Sequence, residues 1–163
     1  MGRVTKADPI PAAEAVWVAT ALLHRENPKR RDFTIREIVR RAEQEDLNGS
    51  RPGIQKEALQ NSVANKEPTE SGRRFLYATA KNRRRLWRSG DDFHLLRLGK
   101  LLPDRDKIPV RYRDLLGWYE KKHGRIPVKV RRRYDPLYAL RGLGKEIWEG
   151  IDPDEYVRSL RED

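Results

Sequence analysis

From Ala12 to His24 the chain is apolar at almost every position and rich in helix formers, and Asn27-Pro28 stops the run. Pro11 stands in a first turn, where its missing N–H does no harm. The pattern predicts a helix buried on all sides, the central core element. Thr34 then precedes Glu37 by three residues, the spacing of a capping box. Ile35, Ile38, Val39 and Ala42 form one apolar stripe behind it, so a second helix is expected. Asn48-Gly49-Ser50 and Pro52-Gly53 are turn signals. A third helix is expected over 54–65, with Leu59 and Val63 inward, Ala58 and Ser62 flanking, and Glu57, Gln60, Asn61 and Ala64 outward.

Two extended, aromatic-rich stretches follow, 74–79 and 92–97, with Ser89-Gly90 between them. They are expected to pair as an antiparallel hairpin, with the basic run 81–88 on its connection. Tyr112, Leu115, Leu116 and Tyr119 have the i, i+3, i+4, i+7 spacing of a fourth helix. An extended basic segment follows at 128–134, and helices are expected near 137–148 and 152–160. Three helices followed by a hairpin is the order of a winged helix-turn-helix. The expected class is mainly α with a small antiparallel β-hairpin, a winged helix-turn-helix with a C-terminal helical extension. Three segments result: 1–120, a basic linker 121–134, and an arm 135–163.

Composition narrows the function. The chain has 163 residues, 36 Lys+Arg, 25 Asp+Glu and no cysteine, for a formal charge of +11. Without cysteine there is no disulfide, thiol catalysis or thiolate metal site. No apolar run approaches the ~20 residues of a membrane span, and the N-terminus lacks a signal-peptide core. A cytoplasmic protein without membrane contact is expected. The three histidines lack HxxxH or HExxH spacing. Gly142-Leu-Gly-Lys145 lacks the first glycine and the hydroxyl residue of a phosphate loop, because positions 139 and 146 are Ala and Glu. Neither enzyme activity, nor a cofactor, nor a metal is expected.

The charge is uneven. Seven basic side chains and no acid lie between Arg73 and Arg88, and seven more between Lys121 and Arg133. The last twenty residues carry −4 and the preceding 143 carry +15. A basic body indicates a polyanionic partner, double-stranded DNA first. Gln55, Lys56, Gln60 and Asn61 on the third helix have the donor–acceptor types that read base edges, although they spread around it. Lys81, Arg83, Arg84, Arg85 and Arg88 would lie along phosphates or enter a narrow minor groove. The acidic arm bears Leu137, Leu140, Ile147, Trp148, Tyr156, Val157 and Leu160, which need covering, either by the chain's own core, by a second copy in a homodimer, or by a protein partner's groove.

Residues from about 11 to 120 resemble an uncharacterised prokaryotic winged-helix domain. The resemblance rests on Val63-Ala-Asn-Lys66, Phe75-Leu-Tyr-Ala-Thr79, the run Arg83 to His94, and Ile108 to Tyr119. One departure is the connection 46–53, longer than a compact helix-turn-helix turn. Separately, Asp135 to Trp148 and Asp152 to Arg161 are similar to the C-terminal arms of some bacterial type II antitoxins. That resemblance implies a transcriptional regulator that neutralises a toxin through its arm. Two other readings stay open: a winged-helix protein-interaction module without sequence-specific DNA binding, and RNA binding through the basic linker.

Overall fold

The computed structural model describes residues 10–48, 53–70 and 72–125. The chain divides into two units, Met1–Pro127 and Val128–Asp163, and every described residue belongs to the first. The expected helices near 137–148 and 152–160, the linker from 128 onward, and the arm with its seven candidate residues lie outside the described residues.

Helix α1 (Ala12–Glu26) is the core element that its apolar run predicts: Ala15, Val16, Trp17, Val18 and Ala19 are wholly buried. Helix α2 (Ile35–Gln44) opens with the expected capping box. Thr34 Oγ1 accepts from the Glu37 N–H at 3.2 Å, and the Thr34 N–H donates to Glu37 Oε2 at 2.8 Å. The helix closes on a Schellman motif, with Leu47 N–H bonded to Ala42 O at 3.1 Å and Asp46 N–H to Glu43 O at 3.0 Å. Asp46 takes the left-handed position at φ 48°, and Leu47 tucks into the core.

Helix α3 (Gly53–Lys56) widens into a π-helical turn over Glu57–Asn61. The Ser62 N–H reaches back five residues to Glu57 O, and the Ser62 hydroxyl donates to the Glu57 carboxylate. The helix therefore ends four residues earlier than expected. The buried face also differs from the expected one: it runs through Ile54, Ala58 and Ser62 at i, i+4 spacing, and Leu59 is 40% exposed. Val63 is inside as predicted, but as a parallel bridge to Leu76.

The sheet differs most from expectation. It has three antiparallel strands, β1 (Phe33–Thr34), β2 (Leu76–Ala80) and β3 (Arg83–Leu86), in the order β1-β3-β2. Among the described residues the architecture is thus four helices with a three-stranded sheet, not helices with a lone hairpin. The basic run is not a connection: it is β3 itself, and only Lys81-Asn82 turn between the strands. Thr34 pairs with Arg83 and Ala78 with Arg84, and the register slips between Ala78 and Ala80 as in a bulge. The segment 92–97 forms no strand. Phe93 packs edge-on against Trp87, Arg97 is sunk into the fold, and Leu95, Leu96 and Leu98 face outward. β2's outer edge is already taken, by Val63, Ala64 and the amide of Asn65, which bonds both the N–H and the carbonyl of Ala78.

Two 3₁₀ turns (Arg105–Lys107 and Val110–Tyr112) lead into α4 (Asp114–His123). Tyr112, Leu115 and Tyr119 are buried along the predicted stripe. The Tyr119 ring lies 6.0 Å from Trp17, and its hydroxyl donates to Trp87 O. Because α4 extends to His123, Lys121 and Lys122 belong to a helix and not to the linker. Among the described residues no helix is long and apolar enough to cross a membrane, and no His/Asp/Glu group is arranged to hold a metal.

His24, in the last turn of α1, is 2% exposed and meets Phe33 edge-on at 4.9 Å. Burial, and then the charges of Arg88 and Lys122, hold its imidazole down at about 3. It stays neutral in the fold while the unfolded chain takes up a proton near pH 6.5. Stability is therefore complete above that pH and lost as pH falls toward 3. Between pH 7 and 5 this single group should remove ~2 kcal/mol, and His24→Phe should make that part of a denaturant-measured stability profile shallower, leaving the slope due to His123, which burial holds down at about 4. At the end of α2, Asp46→Gly should raise stability by about 0.5–1 kcal/mol, read from the urea midpoint, since glycine adopts positive φ without a Cβ penalty.

Candidate nucleic-acid interface

The final turn of a helix leaves four carbonyls without intrahelical partners. In the third helix these belong to Ala58, Leu59, Gln60 and Asn61, and two buried arginines take all four. Arg84, on β3, donates from Nε to Ala58 O at 2.9 Å and from Nη2 to Leu59 O at 3.1 Å. Its Nη1 holds Ala80 O and Arg83 O, at 2.9 and 2.8 Å, and reaches Lys81 O at 3.3 Å. Arg97 donates to Gln60 O at 2.6 Å and Asn61 O at 2.8 Å, and spends its other N–H groups on Lys66, Glu67 and Arg73 carbonyls. Both side chains are fully buried. Neither has an ion-pair partner among the described residues, and burial lowers the pKa of each from the usual arginine value. Carbonyl dipoles at the negative end of the helix supply what a carboxylate otherwise would.

These contacts revise the expected DNA-binding set. Arg84 is internal, with its donors spent on backbone, so it cannot lie along phosphates. Arg85 is 7% exposed. It forks onto Asp91 at 2.5 and 2.6 Å and stacks over Tyr77 with its guanidinium carbon 4.5 Å from the ring centroid. Arg88 is half-buried beside His24, His123 and Arg85, where burial first and Arg85 second lower its pKa. Asn61 is half-buried, and its amide donates to the Glu57 carboxylate at 3.2 Å. Arg83 keeps 43% of its side chain exposed while its Nε donates to Asp32 at 2.6 Å. Asp32 also accepts from the Thr79 hydroxyl at 2.7 Å, so the carboxylate pins the base of the turn.

Gln55, Lys56, Gln60 and Lys81 are exposed. Gln55 lines an open groove of about 940 Å³ together with Leu59, the turn residue Asn82, and Thr34, Ile35, Arg36, Val39, Arg40 and Glu43 of the α2 end. The third helix and the β2–β3 turn therefore meet on one side of the molecule. The turn is fixed there by the Ile35 N–H, which donates to Asn82 O at 3.0 Å. Ile35, Val39 and Leu59 give the groove an apolar floor. Arg36 and Arg40, both exposed and one helical turn apart, supply its positive charge against the single acid Glu43.

Arg36, Arg40 and Asn82 are the groove residues that sequence reasoning missed. A signal was present: the two arginines stand at i, i+4, each next in sequence to Ile35 or Val39 at one edge of the apolar stripe of α2. No family model, no curated protein and no solved structure matches the chain.

Burial separates two kinds of arginine. Arg84→Ala and Arg97→Ala should each cost about 3 kcal/mol or more in chemical denaturation, since five backbone carbonyls lose a charged donor. Arg36→Ala and Arg40→Ala should stay within about 0.5 kcal/mol of the parent.

Proposed function

We propose that the first unit is a winged-helix DNA-binding module and the protein a bacterial transcriptional regulator. The carrying observation is the groove in which Gln55 and Leu59 of the third helix, Asn82 of the strand turn, and Arg36 and Arg40 of α2 stand together. The element order supports the fold assignment. A short strand between the first two helices pairs with β3, and β3 lies between it and β2. In a helix-turn-helix the second helix of the motif enters the major groove while the first crosses the backbone. On that geometry Gln55, Lys56 and Gln60 face bases, Arg36 and Arg40 face phosphates, and Lys81 with Asn82 approaches a neighbouring strand. The arm 135–163 completes the proposal as a protein-binding segment of the antitoxin kind, on the strength of its sequence pattern alone.

A second reading has one specific observation behind it. The apolar floor of Ile35, Val39 and Leu59 under an arginine rim also suits an acidic amphipathic peptide, which would make the unit a protein-interaction module.

Electrophoretic shifts or fluorescence anisotropy with duplex DNA across a salt series decide between them. Each phosphate neutralised contributes about 0.9 to the log–log salt slope. The double variant Arg36→Ala/Arg40→Ala should make the slope shallower by about 2 without loss of folding. An unchanged slope and affinity, or no salt-dependent DNA binding at all, would overturn the DNA reading.

A further inference from the structure

One feature of the groove is unusual for a surface that only follows phosphates: Leu59 is 40% exposed at its floor, on the helix placed to meet bases. An exposed leucine at that position contributes nothing to the core, which Ala58 serves instead. Four residues before it stands Gln55, also exposed and lining the same groove. Four residues of helix rise about 6 Å, and base pairs stack about 3.4 Å apart. The two side chains thus face positions about two base pairs apart.

The chemistry of each is selective. A glutamine amide carries a donor and an acceptor that match N6 and N7 of adenine together, and a branched apolar tip matches the C5 methyl of thymine. Neither suits guanine, whose major-groove edge offers two acceptors, nor the polar amino edge of cytosine. Lys56, the lysine of this helix, is exposed beside Gln55 but does not line the groove. The groove's arginines, Arg36 and Arg40, project from α2. Resting on the DNA-binding reading above, we infer that the third helix selects A·T-containing duplex, with Gln55 reading adenine and Leu59 seated against a thymine methyl.

The buried face of this helix runs through Ile54, Ala58 and Ser62, spaced four residues apart, which leaves Gln55 and Leu59, also four apart, together on the opposite, groove side. The end of that helix is held by the Glu57 bonds to Ser62 and by the two buried arginines.

Three duplexes of equal length test the inference: one A·T-rich, one identical but with uracil in place of every thymine, and one G·C-rich. Binding of the full chain to each is measured over a salt series. The wild-type protein should prefer the A·T-rich duplex and bind its uracil counterpart roughly three- to fivefold more weakly, as removal of one buried methyl predicts. Leu59→Ala should bind the thymine and uracil duplexes equally, Leu59→Met should restore the difference, and Gln55→Ala should weaken the preference over G·C. None of these variants should alter the salt slope. Equal affinity of the wild type for all three duplexes, with a normal salt slope, would overturn the inference and leave DNA binding intact. Absence of salt-dependent binding to any duplex would overturn both.

Discussion

The end of the third helix is the point on which the described structure depends. Its last four carbonyls face protein, not water, and an unpartnered carbonyl there would cost about 1–3 kcal/mol. Arg84 and Arg97 answer all four, one from strand β3 and one from the loop after the sheet. A buried guanidinium without a carboxylate is normally unfavourable. Here each is surrounded by five carbonyl oxygens. Its five N–H groups suit that arrangement as lysine's three do not.

This clamp has consequences at the surface. Arg84 holds both the helix and the carbonyls of Ala80, Lys81 and Arg83, so the strand turn and the third helix are fastened to one side chain. Asp32 and the Ile35 N–H fasten the same turn to the start of α2. The groove between these elements is therefore built on rigid supports, and its exposed residues are presented in a fixed relation. Pre-organisation of this sort lets long polar side chains meet a rigid ligand with less loss of chain entropy. Gly72 and Gly99 approach each other so closely that a Cβ on Gly99 would run into the Gly72 carbonyl. Their close approach lets Gly99 O accept from buried Arg74.

Much of this was legible in the sequence, for identifiable reasons. The all-round apolar run marked α1, the Thr34/Glu37 pair marked the start of α2, and the Tyr112–Tyr119 spacing marked the packing of α4. Each of these signals is local. The basic run 83–88 was misleading because arginine is usually a solvated residue. Nothing in its spacing tells that Arg84 and Arg85 point inward to partners, the most distant of them 26 residues away. Likewise Phe93, Leu95 and Leu96 give the stretch 92–97 the composition of a strand, yet its anchor is the buried Arg97. Strand β1 has only two residues, too few to carry an alternation, and the third helix buries the small Ala58 and Ser62 while the larger Leu59 stays outside, a choice that side-chain size does not signal. Local periodicity revealed the helices, whereas long-range hydrogen bonding decided the sheet and most of the candidate site.

On the proposed function, a duplex sits on the face formed by the start of α2, the third helix and the strand turn. Hydrogen exchange of the full chain with and without duplex DNA at low salt tests this most directly. Protection should appear at Ile35–Arg40, at Gln55–Gln60 and at Lys81-Asn82, leaving Leu95–Leu98 and α4 unchanged. Protection confined to Leu95–Leu98 or α4, with the groove segments unaltered, would put the duplex on another face and overturn the proposal.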